Sequence, residues 1–150
     1  MPSIAEEIQS KFKDNFHRAQ VNIIYTAAWI NQANVRALRP LGLSVQQFNI
    51  LRILRGRGEQ PSTVKLLTER MLDKMSNASR LVDKLKEKGL VERRECETDR
   101  RRVDIVITDK GRDLVERASV VVDNTMHEMA GSISDEELGA LSELLDRLRA

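Results

Sequence analysis

The sequence predicts a mainly α protein with one small β-hairpin, an α+β chain, and three observations lead there. Aromatic residues make up only 3% of the 150 residues, so a core must be assembled from Leu, Ile, Val, Met and Ala, as in helix-rich proteins. Apolar residues recur at steps of three or four over most of the chain, the spacing of one helix face. One stretch departs from this: Val91 to Ile107 has two extended, partly alternating runs around a charged turn, which reads as strand, tip, strand. The length suits one compact domain, or a small domain with dimerisation arms.

From Ile4 to Leu38 no Gly or Pro occurs, and Ile8, Phe12, Phe16, Ala19, Ile23, Ala27 and Ile30 form one stripe. The spacing predicts a single helix of roughly 30 residues, about 45 Å long, with a kink at Asn31–Gln32. Such a length points to an arm that reaches a partner subunit. Pro40 and Gly42 stop it. Ser44 with Gln47 makes a capping box for a second helix, whose Val45, Phe48, Leu51, Ile53 and Leu54 face inward. After Gly56, Gly58 and Pro61, either Ser62 or Thr63 caps a third helix through Val64, Leu66, Leu67 and Met71, with Lys65 and Glu69 placed to interact.

Asp73 is the expected N-cap of a fourth helix from about Lys74 to Lys88, closed by Gly89 in the left-handed conformation. Its stripe is Ala78, Leu81, Val82 and Leu85, which leaves Ser76, Asn77, Ser79, Arg80 and Lys84 outside. Small polar groups on the first turns let a helix backbone approach base edges in a major groove. An ordinary solvated helix face would show the same pattern. Two short helices, then a charged hairpin, make a helix-turn-helix with a β-ribbon attached. In the returning strand Val103, Ile105 and Ile107 alternate with Arg102, Asp104 and Val106. Thr108 caps the next helix, with Gly111 weakening its first turn, and Ser134 with Glu137 opens a last one striped by Leu138, Leu141, Leu144, Leu145 and Leu148.

The formal net charge is only +2, which by itself says nothing of nucleic acid. Its placement says more: residues 61–108 hold twelve Lys/Arg against nine Asp/Glu, and the remainder thirteen against fourteen. The positive excess is therefore all in the central block. Within the hairpin, though, Glu92, Glu95, Glu97, Asp99 and Asp104 offset most of the arginines.

The run Leu66 to Arg93, with its Arg80-Leu81-Val82-Asp83-Lys84-Leu85 and Lys88-Gly89-Leu90-Val91 signatures, is followed by Asp99-Arg100-Arg101 and by Thr108-Asp109-Lys110-Gly111. This combination resembles the MarR family of bacterial transcriptional regulators; any one of the motifs alone would be weak. The resemblance implies a winged-helix homodimer on a pseudo-palindromic operator in double-stranded DNA, usually a repressor. Residues 1–40 and 112–150 would be dimerisation helices and 44–111 the DNA-binding domain. It places Ser76, Asn77, Ser79 and Arg80 at bases and phosphates, Arg101 in the minor groove and Asp99 as its brace. Lys74, Lys84 and Arg100 complete the DNA-contacting set, and Arg93, Arg94, Arg100 and Arg102 are assigned to phosphates or solvent. A guanidinium suits the negative potential of a narrow minor groove, and a carboxylate two residues away can fix its rotamer; an exposed ion pair of little consequence is the plainer reading. A large apolar surface on the outer helices independently calls for a two-fold partner.

The resemblance also implies a cleft for an aromatic or phenolic effector, with Tyr25, Trp29, Phe48 and Arg52 placed to line it; aromatics at helical spacing are otherwise core. No cofactor, metal or catalytic group is expected: His17 and His127 lack partners at ligand spacing, and no phosphate-binding loop or nucleophile–base arrangement stands out. The single Cys96 forms no internal disulfide, and its neighbours Glu95 and Glu97 would raise its pKa and quench reactivity. With no signal-like N-terminus and no membrane-length apolar run, the expected location is the cytoplasm, at the nucleoid. The alternative function is a winged-helix module that binds protein.

Overall fold

The computed structural model describes residues 2–150, as seven helices and one two-stranded sheet. In order they are α1 (Ile4–Ile8), α2 (Asn15–Leu38), α3 (Val45–Arg57), α4 (Val64–Arg70), α5 (Ala78–Glu87), strands β1 (Val91–Glu95) and β2 (Val103–Ile107), α6 (Asp109–Ala130) and α7 (Asp135–Leu148). A 3₁₀ turn, Arg39–Leu41, joins α2 to α3. No described helix is long and apolar enough to cross a membrane.

The N-terminal arm is two helices, not one. Gln9 adopts a left-handed conformation (φ 50°), and α2 starts afresh at Asp14, whose carboxylate accepts the backbone N–H of His17. His17 in turn accepts the N–H of Lys13 at 3.2 Å and meets Phe12 edge-on, ring centroids 5.5 Å apart. Apolar spacing runs across this break because Ile8 and Phe12 belong to the stripe but not to one helix. The kink expected at Asn31–Gln32 is absent: α2 is continuous to Leu38.

Two capping boxes form as the spacing predicts, Ser44 with Gln47 and Ser134 with Glu137, each satisfying two otherwise orphan donors. Thr63, and not Ser62, caps α4. Ser62 is buried and pairs with the wing: its carbonyl accepts the N–H of Ile105, and its hydroxyl accepts from Arg57 at 2.9 Å. Lys65 and Glu69 form no ion pair among the described residues.

The core gathers Leu38, Leu43, Phe48, Ile50, Leu51 and Leu54 with Leu67, Met71, Val82, Leu85, Leu90 and Ile105, and α6 adds Val115, Ala118 and Val122. Each fully buried Leu or Ile removes enough apolar surface from water to contribute about 1.5–3 kcal/mol. The helix-turn-helix is thus built on α3 and α6. Arg55 strengthens that joint by donating to Ser119 at 2.9 Å.

Two of the sequence signatures meet where α5 ends. Thr108 donates its hydroxyl proton to the Gly89 carbonyl (2.7 Å), its N–H to that of Leu90 (3.0 Å), and accepts from the Gly111 N–H. Lys110 Nζ reaches the Lys88 carbonyl at 3.0 Å. Gly111 does not merely tolerate its place: a Cβ there would lie 2.2 Å from the Leu90 carbonyl oxygen. The start of α6 therefore latches onto the end of α5, and only glycine permits so close an approach.

Candidate nucleic-acid interface

The turn between α4 and α5 is longer than its sequence suggests. Asp73 does not cap the helix; its carboxylate takes the N–H of Met75, and its carbonyl that of Ser76. The cap is Asn77, whose Oδ1 accepts from the Arg80 N–H at 3.1 Å. So α5 begins at Ala78, and Lys74, Ser76 and Asn77 precede it. Both Asp73 and Asn77 can serve as caps, and the burial of Ala78 and Met71 decides in favour of the later one.

These placements sort the expected contact residues. Ser79, Arg80 and Lys84 are exposed on α5, with Arg80 and Lys84 one turn apart on the same face. Asn77 is exposed, but its Oδ1 is committed to the cap. Ser76 departs from expectation: its hydroxyl oxygen is buried, without a hydrogen-bond partner among the described residues, and so does not face outward. Lys74 Nζ donates to the carbonyl of Glu69. Two side chains not anticipated from the sequence stand out in the same turn, Leu72 at 87% and Met75 at 93% exposure. Their only sequence signal is an apolar residue off any helical stripe, Leu72 directly after the buried Met71 and Met75 between Lys74 and Ser76.

The wing is an antiparallel pair in which Val91 faces Ile107 and Glu95 faces Val103. Its arginines separate into two sets. Arg93 pairs with Asp83 of α5, Arg94 with Glu92 (3.1 Å) and Arg102 with Asp104 (2.8 Å). Arg100 and Arg101, at the exposed tip, have no ion pair among the described residues. The expected brace is present in a different form: the Asp99 carboxylate binds the backbone N–H of Arg101 at 3.0 Å, not its guanidinium. The Asp99 carbonyl takes the Arg102 N–H at 3.0 Å, so this residue shapes the turn and leaves the Arg101 side chain to extend.

Cys96 lies at the base of the tip with its Sγ 3.2 Å from the Thr98 hydroxyl. That hydrogen bond, with the N–H groups of Thr98 and Asp99, holds the thiol below its ordinary pKa against the opposing charge of Asp104. The direction expected from Glu95 and Glu97 is thus reversed, because hydrogen bonding to the thiolate outweighs the neighbouring charge.

The four residues expected to share an effector cleft do not come together. Tyr25 and Trp29 line a pocket of about 190 Å³ between α1 and α2, with Pro2, Ile4, Glu7 and Asn22. The Tyr25 hydroxyl donates to Glu7 at 3.0 Å, which raises the phenol pKa. Phe48 is instead buried in the core, with the Arg52 guanidinium 5.6 Å from its ring centroid. The charge of Arg52 is stacked on that ring and is outside the Tyr25 pocket.

A helix-turn-helix on a helical scaffold, followed by a two-stranded wing with unpaired arginines at its tip, defines a winged helix-turn-helix protein. The model of the MarR family matches residues 41–102. Solved structures agree over nearly the whole chain. An organohalide-sensing transcriptional regulator in its 2,4-dichlorophenol-bound form is 28% identical, with a TM-score of 0.81 over 94% of this chain and 85% of that one. CouR from Rhodococcus jostii, bound to p-coumaroyl-CoA, is 24% identical, with a TM-score of 0.75 over 91% and 95%. MarR of E. coli shares the fold at 23% identity, with a TM-score of 0.67 over 84% and 93%. Residues 41–102 thus match the MarR family, and most of the chain shares the fold of solved MarR-like transcriptional regulators.

Proposed function

We propose that this chain is a homodimeric repressor that occupies a pseudo-palindromic operator, with α5 in the major groove and the wing tip in the minor groove. One observation carries the reading. Neighbouring carboxylates pair Arg93, Arg94 and Arg102, while Arg80, Arg100 and Arg101 are left without ion pairs among the described residues. Free guanidiniums thus sit on the exposed flank of α5 and at the tip, the two places a groove-binding protein needs them; Arg70, at the end of α4, is also without an ion pair among the described residues. Ser79 and Asn77 meet base edges in this arrangement, and Arg80 a base edge and a phosphate; Lys74, Lys84 and Arg100 meet phosphates, and Ser76 acts through its backbone. Met75 supplies an apolar surface of the kind that recognises a thymine methyl group.

Residues 44–111 form the DNA-binding domain, and 1–40 with 112–150 the dimerisation arms. The support is apolar exposure: Phe16, Ile24, Val120, Leu141, Leu144 and Leu148 each show more than half of their surface, and together they need a covering partner. A two-fold dimer sets the recognition helices about 34 Å apart. Binding to an operator places the protein at the nucleoid, in the cytoplasm. The effector is a small phenolic or aromatic compound in the Tyr25–Trp29 pocket, in keeping with the dichlorophenol carried by the 28% identical regulator.

Selection of bound sequences from random DNA tests the whole reading. It should return a site with two inverted halves whose centres are one helical turn apart. Recovery of no enriched sequence, with binding insensitive to salt, would support a protein-binding module instead.

A further inference from the structure

The wing is held at its root by a residue outside it. Ser62, in the loop between α3 and α4, has no exposed surface, and its carbonyl accepts the N–H of Ile105 at 2.6 Å as an isolated antiparallel bridge. Ile105 faces Arg93 across the hairpin, so β2 is clasped between β1 on one edge and Ser62 on the other. The next residue, Thr63, caps α4 by accepting the Leu66 N–H at 3.1 Å. One short stretch therefore fixes both α4 and the strand that leads back from the tip.

That stretch is itself held by Arg57, the last residue of α3. Its Nε donates to the Ser62 hydroxyl at 2.9 Å and its Nη2 to the Pro61 carbonyl at 2.7 Å. Gly58, at φ 58°, turns the chain out of the helix, and the Gln60 N–H returns to the Arg57 carbonyl at 3.0 Å. A guanidinium is a rigid fork with donors in fixed directions, so bonds to two adjacent residues set the orientation of the segment as well as its distance. No carboxylate competes for it: Arg57 has no ion pair among the described residues. The wing thus has two separate ties to the body, β1 to α5 through Arg93 and Asp83, and β2 to α3 through Ser62 and Arg57.

We propose that Arg57 is a positioning residue for DNA binding: it touches no DNA, and it sets the angle at which the wing presents Arg101. The proposal rests on the groove-binding reading above. Four residues separate Ile105 from Arg101, roughly 13 Å of extended chain, so a small tilt at the root becomes a displacement at the tip. A hydrogen bond at a groove edge is lost when its donor moves by about 1 Å. Holding β2 on its outer edge is therefore a condition for the tip arginine to reach its acceptors.

Two measurements on the full chain test this. The first needs no DNA: in Arg57→Gln, amide exchange at Ile105 should accelerate by about tenfold or more, while Thr108, whose N–H is bonded to Leu90, should keep the parent rate. The second is a mobility-shift series on the duplex recovered by selection from random DNA. Arg57→Gln should weaken binding by about fivefold or more in the parent chain, and by less than about twofold in a chain already carrying Arg100→Gln and Arg101→Ala. Ser62→Ala, which removes one of the two acceptors and keeps the carbonyl that binds Ile105, serves as a second variant should Arg57→Gln fold poorly, and should show the same dependence on the tip arginines with a smaller loss. Unchanged exchange at Ile105, full affinity in Arg57→Gln, or an undiminished loss in the chain without tip arginines would each overturn the assignment, the last by making Arg57 a DNA contact in its own right. A parent chain that retains no duplex would defeat the DNA-binding reading and this proposal with it, and the exchange rates would still decide whether Arg57 holds Ser62.

Discussion

Asp99 accepts the backbone N–H of Arg101 at 3.0 Å and leaves its guanidinium alone. The aspartate therefore acts on the shape of the tip, and neutralising it should matter less than removing its acceptor. Asp99→Asn keeps an oxygen in place and should bind operator DNA within about twofold of the parent. Asp99→Ala should lose roughly 1 kcal/mol through the relaxed turn. Equal losses in mobility-shift assays of both variants would point to an ionic brace instead. Arg101→Ala should cost about 1–3 kcal/mol of operator affinity.

Arginines that already hold a carboxylate have less to offer a phosphate. Arg94, 3.1 Å from Glu92, should tolerate alanine with little change in the salt dependence of binding. Arg80→Ala and Lys84→Ala should each reduce the slope of log affinity against log salt by about 1, one phosphate contact apiece. A reduced slope for Arg94→Ala and an unchanged one for Arg80→Ala would reverse the division between the two sets.

These assignments show where sequence and structure part. Caps and stripes are legible in the sequence because they are local: Ser44 with Gln47, Ser134 with Glu137, and the Ala78–Val82–Leu85 face all form as spacing predicts. The break at Gln9–Asp14 is not, since neither Gly nor Pro marks it and Phe12 keeps the helical step. The start of α5 turns on a choice between Asp73 and Asn77, equivalent as residue types and separated only by what packs beneath Ala78. For the site, residue types locate the arginines, but only geometry shows which have partners. Ser76 facing inward, and Tyr25 parted from Phe48, lie beyond any pattern of spacing because both depend on side-chain packing across elements.

Gly111 provides a test of the latch between α5 and α6. A methyl group added there would meet the Leu90 carbonyl oxygen at 2.2 Å and Ile107 Cγ1 at 2.8 Å. Backbone cannot yield as a flexible side chain does, so Gly111→Ala should cost about 3 kcal/mol, the upper part of the overpacking range, despite the better helix propensity of alanine. Urea denaturation reads this directly. A more stable Gly111→Ala protein would mean that the two motifs are not in such close contact. Removing the Thr108 hydroxyl, as Thr108→Val, should cost about 1 kcal/mol as a lost cap.

The thiol of Cys96 is set to ionise early. Hydrogen bonding from the Thr98 hydroxyl, and from the N–H groups of Thr98 and Asp99, lowers its pKa, so the thiolate fraction at a given pH exceeds that of a free cysteine. Alkylation by iodoacetamide should therefore accelerate at lower pH than for a cysteine in an unfolded peptide, with the midpoint of the rate profile displaced towards acid. Thr98→Val removes the hydroxyl 3.2 Å from Sγ and should shift the profile back towards alkaline pH, whereas Glu97→Gln should move it little. A Glu97→Gln variant with a larger shift than Thr98→Val would restore charge as the controlling influence. Because the reaction reads the folded protein, the same profile collected in denaturing urea should erase the difference between the parent chain and the Thr98→Val variant; persistence of that difference would assign it to the local sequence and not to the folded tip.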